Sequence, residues 1–317
     1  MQRLEVTSKF FLALTWSVFL FMSGISLPPL GAVLLPFVAQ PVLMFGVKFG
    51  IGGGLGVLCV ALILLAYFGG EELSLLYSIF AVLAGLLLAL LGRLRVIEHL
   101  VVGAAAAMFV SSAVVARYFF GSWTAMVADF RAALMHQFAS AARVQEQFGL
   151  PKDSLDMLKE RMPQIIDMTL QLLPAVLFLS FAFIALINIL YLRRRFPDRR
   201  AQWFSLANLR EWKGPEPVVW GLIASGFALF IPGFYVVRVI AMNLLLIIGA
   251  CYFAQGLAVI AFFFHKNHVP RFLRGITYIL IVFQQIFTLM VVGLGLFDLW
   301  GDFRRLGKDK LTPSQAS

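Results

Sequence analysis

Residues 239–264 read VIAMNLLLIIGACYFAQGLAVIAFFF, and residues 275–297 read GITYILIVFQQIFTLMVVGLGLF. The basic loop His265-Lys266-Asn267-His268-Val269-Pro270-Arg271 lies between them. A bilayer core about 30 Å thick takes roughly 20 helical residues to cross, and both runs are long enough. The first contains Asn243 and Gln255-Gly256, the second Gln284-Gln285. Lipid offers a carboxamide no partner, so such groups must turn toward protein. The reading is two spanning helices whose polar faces look inward. The second run closes with Asp298-Leu299-Trp300 and then Phe303-Arg304-Arg305. A carboxylate at the helix end can meet a guanidinium from the next turn, so Asp298 and Arg304 are expected to form a structural ion pair that fixes the exit of the last span.

Composition extends that reading to the whole chain of 317 residues. It is 61% hydrophobic and 13% charged, with a mean hydropathy of +0.90. A soluble domain carries about 25% charged residues, so too little polar surface remains to cover a globule in water. The apolar runs have helical length, and none shows the alternating, roughly ten-residue pattern of a membrane barrel. The fold class expected is all-α, a polytopic transmembrane helix bundle. The net charge of +10 falls mostly in short loops between apolar runs, as the positive-inside rule distributes it; a nucleic-acid partner is not expected. Cys59 and Cys251 read as small buried hydrophobes, and no disulfide framework or metal site is supported.

The remaining runs are 10–26, 30–46, 49–68, 73–92, 98–116, 165–192 and 218–237. The first has a charged start at Arg3 and Lys9 but no convincing cleavage site, and reads as an uncleaved span. Pro28-Pro29 break the chain after it, and the second run carries Pro36 and Gln40-Pro41. A helix interrupted by proline at this depth has to be kinked and shielded by protein. Gly50 with Gly54, and Gly52 with Gly56, give small-xxx-small spacing for close helix approach. Glu98-His99 open the fifth run, where an acid suits the helix N-terminus. Residues 121–163 form a long amphipathic extramembrane insertion: Trp123, Met126, Val127, Phe130, Leu134, Phe138 and Ala142 recur at three- and four-residue steps. That helix is expected to stop at Gly149 before Pro151, with a short second helix starting at Asp153. The sixth run holds Pro174 and Asn188 and ends in the basic cluster 193–200. Three blocks follow: a membrane domain 1–192, a basic cytoplasmic connector 193–217, and C-terminal membrane helices with a tail, 218–317.

These runs count as about nine spans, with eight as the alternative. A cytoplasmic N-terminus places Lys48, Arg93, Arg95, the 193–200 cluster and the 265–274 loop inside, and Glu71-Glu72 and the insertion outside. A ninth crossing then puts Arg304, Arg305, Lys308 and Lys310 outside, against the rule. The break at Ile231-Pro232-Gly233 makes the run 218–237 the suspect. The setting expected is a multi-pass protein of a bacterial inner membrane.

Asn243-Leu244-Leu245-Leu246, Tyr252-Phe253, Gln255-Gly256-Leu257-Ala258, Gly295-Leu296-Phe297-Asp298-Leu299-Trp300 and Phe303-Arg304 resemble the C-terminal signature of the YybS-like predicted bacterial membrane proteins, a domain of unknown function. The first six runs also resemble, more weakly, the six-helix substrate-binding component of energy-coupling-factor vitamin transporters. That second resemblance implies a gating loop after the first helix, here Pro28 and Pro29, and a docking pair on the first helix, here Ala13 and Ser17.

The leading expectation is a small-molecule-binding or transport-related membrane protein with a cavity in the first six helices. Its candidate ligand residues are Pro28, Pro29, Gln40, Asn188, Asn243 and Gln255. The alternative is a structural or assembly partner of other membrane proteins. An enzyme is not expected: Asp167, Glu98-His99 and Asp298 are scattered acids and bases, no nucleophile motif is present, and His265 and His268 sit in a loop beside proline. No cofactor is expected. The partner expected in every case is the lipid bilayer.

Overall fold

The computed structural model describes residues 2–91, 93–94, 96–147, 152–197 and 209–304. Arg95, the helix stop at Gly149 and Pro151, residues 198–200 of the basic cluster 193–200 with the connector as far as 208, and the tail from Arg305 onward lie outside them. Among the described residues the chain is helical, with no strand beyond one isolated bridge. It divides into two compact units, Met1–Ser205 and Leu206–Ser317.

In the first unit, α1 (Gln2–Ser26) is followed by a broken segment: α2 (Pro28–Leu34), a 3-10 turn (Leu35–Phe37) and α3 (Gln40–Phe49). Lys48 pairs with Glu5 at 3.3 Å, which returns the end of α3 to the start of α1. Next comes α4 (Ile51–Leu90), nominally one helix of 40 residues but non-helical at Gly70 (φ 84°, ψ 166°). The Ser74 hydroxyl donates to the Leu62 carbonyl at 3.1 Å. In a straight helix those residues stand about 18 Å apart, so α4 is folded in half at Gly70. Its two arms are the separate runs 49–68 and 73–92 of the sequence. Helix α5 (Ile97–Phe120) climbs back until Tyr118 lies beside Glu71. It ends at Gly121, whose φ of 67° caps the helix in the left-handed region.

Helix α6 (Trp123–Gln147) packs along α7 (Lys152–Arg195), and Arg131 pairs with Asp167 across them at 2.6 Å. The expected short helix from 153 and the span 165–192 are one helix. Pro163 and Pro174 lie inside it without ending it, because proline removes one bond per site and can leave a kinked but continuous helix. At about 66 Å, α7 is longer than a bilayer is thick. Most of the interior of this unit is apolar, with Phe21, Leu43, Leu83, Leu87, Leu100, Met108 and Ile189 all buried.

The glycine pattern works differently from expectation. Gly50 (φ 107°) turns the chain, and Gly52 faces open space. The close approach is at Gly54, where an added methyl would lie 3.0 Å from the Gly46 Cα. Cys59 is exposed rather than buried, and Cys251 is half-buried.

The second unit opens with a 3-10 turn (Leu209–Glu211) and α8 (Val218–Ala228), then α9 (Tyr235–Lys266), α10 (Arg271–Phe283) and α11 (Gln285–Gly301). Helix α9 runs straight through Arg238, so the runs 218–237 and 239–264 are not divided at that residue. The run 275–297 is not one helix: α10 and α11 meet at a bend of 103°. Gln284 and Gln285 sit at that bend and are exposed, not turned into protein.

Among the described residues six helices are long and apolar enough to cross a membrane, or seven if the bent pair is one span. The nine crossings expected from the sequence are not found among the described helices, and one contact bears on the count. Nine crossings would put the connector and the end of α11 on opposite faces of the bilayer, about 30 Å apart. The Arg304 guanidinium instead donates to the Arg210 carbonyl at 2.6 Å. With only 11 residues, α8 is too short to cross as a helix.

Gly70 has the backbone of a glycine-only region, where a β-branched residue costs about 1–3 kcal/mol. Gly70→Val should therefore lower the thermal unfolding midpoint in detergent. Gly52→Ala, in open space with ordinary backbone, should leave it near wild type. Equal midpoints for the two variants would contradict a fold at Gly70.

Candidate functional site

Each unit contains one buried polar knot. In the first it surrounds the break between α2 and α3. Pro29, Pro36 and Pro41 lack backbone N–H groups, so carbonyls there lose their helical partners. Side chains from two other helices take over. Ser17 on α1 donates to the Val38 carbonyl at 2.7 Å. Its only hydrogen is then committed, so the Tyr77 hydroxyl, 2.7 Å away, donates to the Ser17 oxygen. Asn188 on α7 donates to the carbonyls of Pro36 at 2.8 Å and Ile184 at 2.7 Å. Gln40 donates to the Asn188 carbonyl at 3.0 Å. These bonds fix both amide orientations. They leave the Gln40 Oε1 and Asn188 Oδ1 atoms buried without a hydrogen-bond partner.

In the second unit, α9 and α11 touch backbone to backbone. A methyl on Gly256 would overlap the Val291 carbonyl oxygen, and one on Gly295 would overlap that of Tyr252. This contact brings Gln255 opposite Asp298. The Asp298 Oδ2 accepts from Arg304 at 2.6 Å and from Gln255 at 3.1 Å. Arg304 also donates to the carbonyls of Arg210 and Trp212, at 2.6 and 3.0 Å. The Gln255 Oε1 accepts from the Gly214 backbone at 3.1 Å, and Lys213 pairs with Asp302 at 2.8 Å. Both side chains of the Asp298–Arg304 pair are fully buried. One carboxylate, one guanidinium and one amide thus fasten an irregular connector to two helices. The Asp298 Oδ1 and Arg304 Nε atoms have no partner.

The candidate ligand residues are not gathered into one place. Gln40 and Asn188 meet in the first unit. Pro28 and Pro29 open α2, where proline needs no N–H; they start a helix and are not a free gating loop. Gln255 belongs to the second unit. Asn243 donates to the Val239 carbonyl of its own helix at 2.8 Å, and twelve residues, about 18 Å, separate it from Gln255 along α9. Ser17, Tyr77, Lys213 and Gly214 were not singled out for these knots from sequence. Only the proline-broken backbone hinted that a hydroxyl would be needed near Val38. Ala13 and Ser17 are both buried, so they do not present a docking face. Among the described residues no group of three or more His, Cys, Asp or Glu could hold a metal ion.

A family model described as predicted membrane protein (DUF2232) matches residues 15–299. The chain belongs to that family. The YybS-like resemblance fits it, and the match takes in the first knot and, in the second, Gln255 and Asp298 but not Arg304. No curated protein and no solved structure matches this member of DUF2232, and the energy-coupling-factor resemblance finds no support.

Removing one partner of a buried pair leaves the other charge uncompensated, at about 3–5 kcal/mol. Arg304→Met should therefore sharply reduce folded yield and midpoint. Arg131→Met, which breaks a half-exposed pair, should cost no more than about 1 kcal/mol. On the same grounds Asp298→Ala should lower yield more than Glu72→Ala, at an exposed position. Equal losses within either comparison would reject the clamp.

Proposed function

We propose that this multi-pass membrane protein binds a small polar ligand beside the broken segment 28–49, in a transport-related role. The reading rests on one observation: two carboxamide oxygens, Gln40 Oε1 and Asn188 Oδ1, are buried without a partner where a membrane helix is interrupted. An unpaired buried acceptor costs about 1–3 kcal/mol. Interrupted helices at this depth generally line a cavity or lie within protein. A ligand that donates hydrogen bonds is the complement of such acceptors. The polar side chains here hold backbone in place and offer no nucleophile, so the protein is proposed not to be an enzyme.

The topology that goes with this reading has eight crossings in a bacterial inner membrane. Six belong to the first unit, counting each arm of α4. An even number in the second suits the Arg304 contact. Arg3, Lys9, Lys48, Arg93 and Arg193–Arg195 share one end of the first unit under this alternation, with Glu71 and Glu72 at the other. The positive-inside rule assigns the basic end, and with it the N-terminus, to the cytoplasm.

A second reading, an assembly partner for other membrane proteins, is favoured by α6. An open groove of about 550 Å³ there is lined by Trp123, Val127, Arg131 and Met135 among others, and Trp123 is half exposed.

Native mass spectrometry of the full-length protein, released gently from detergent, separates the two. The ligand reading predicts an additional small mass on wild type, with occupancy lowered about five- to tenfold in Gln40→Met. A companion chain and no small mass would favour the assembly reading. No small mass on wild type, or the same occupancy in Gln40→Met, would overturn the ligand reading.

A further inference from the structure

Helix α10 is built inside out for a soluble protein. Phe272, Ile276, Ile279 and Phe283 recur at helical spacing, with Leu273 and Leu280 beside them. All six are exposed, Phe272 at 76% and Phe283 at 82%. The opposite side of the helix faces its own protein. Arg274 donates to the Val269 and Phe264 carbonyls at 2.8 and 3.1 Å, capping the end of α9. The Tyr278 ring stands edge-on to Phe264 at 5.8 Å, and Ile281 is buried. The polar face is thus held by protein, and the apolar face is left outward.

Two features give this face its orientation. The bend of 103° turns α10 steeply away from α11, which suits a helix lying along a membrane surface. The corner where α9 hands over to α10 is strongly basic: His265, Lys266, His268 and Arg271 are all exposed there. No Asp or Glu occurs anywhere between Glu216 and Asp298, so the stretch itself carries no negative side chain. The corner is also firm. Asn267 and Val269 donate backbone bonds to Phe263 and Phe264, and His268 is held at φ 50°.

We infer that α10 and its basic corner form a surface that binds an anionic phospholipid, with the headgroup phosphate at Lys266 and Arg271 and the acyl chains along the Phe272–Phe283 face. A water-soluble acidic protein would suit the corner but not the arc of exposed phenylalanine and isoleucine. A zwitterionic lipid would suit the arc but gains little from the corner. Only an anionic amphiphile complements both, and each basic residue near a charged headgroup plane adds about fivefold in affinity.

The test uses the full-length protein in a neutral detergent. Phosphatidylglycerol or phosphatidylcholine with the same acyl chains is added, and retained lipid is counted by native mass spectrometry. Wild type should retain phosphatidylglycerol in clear excess. Lys266→Gln and Arg271→Gln should each weaken that retention about fivefold, and high salt should weaken it in wild type. Arg194→Gln, in the other unit, should leave the preference intact, which separates this corner from general positive charge. Ile279→Asn should reduce retention of both lipids. Equal retention of the two lipids by wild type would overturn the inference. So would an unchanged preference in both corner variants, or displacement of phosphatidylglycerol by millimolar inorganic phosphate, which would mark a small-anion site instead.

Discussion

A backbone carbonyl at bilayer depth has no water to turn to. Regular helix meets that demand along most of this chain, and the interest lies where regular helix stops. The break at 35–40 and the connector at 209–214 are both irregular, and both are held by side chains that donate to or accept from their backbone. Asn188 and Ser17 reach Pro36 and Val38; Arg304 and Gln255 reach Arg210, Trp212 and Gly214. An unmet polar group in such surroundings costs several kcal/mol. That penalty ties distant parts of the chain together: α7 is bound to the α2–α3 break, and α11 to the connector.

The second knot shows how packing sets up charge. Gly256 and Gly295 let two helix backbones touch, and that contact places Gln255 against Asp298. A buried ion pair is weak evidence for stability, because desolvation offsets much of the attraction. Its effect here is positional. The Arg304 guanidinium has donors enough for a carboxylate and two carbonyls at once, which an ammonium on a flexible stem would not arrange as well. The pair therefore holds the connector at 210–212 against the end of α11.

The spanning helices were legible because hydropathy over 20 residues is a strong signal. The Asp298–Arg304 contact could be read because the two residues are six apart at a helix end. Asn188 and Gln40 could be flagged as inward-facing but not paired, since 148 residues separate them and spacing says nothing about such a meeting. The bend within residues 275–297 was not legible, because hydropathy is blind to direction. Gln284 has extended backbone (φ −112°, ψ 107°), and a window average cannot register one such residue. The turn at Gly70 was legible, by contrast, because Gly69, Gly70, Glu71 and Glu72 interrupt two apolar runs. The candidate ligand set was too broad because a carboxamide in an apolar run satisfies itself locally, as Asn243 does, as easily as it faces a cavity.

The most direct test of side chains standing in for lost helix bonds is hydrogen–deuterium exchange of the full-length protein in lipid nanodiscs. Protection in 35–40 and 209–214 should approach that of the flanking helices, although neither segment is regular helix. Exchange there within seconds, as in an unrestrained surface loop, would contradict the account.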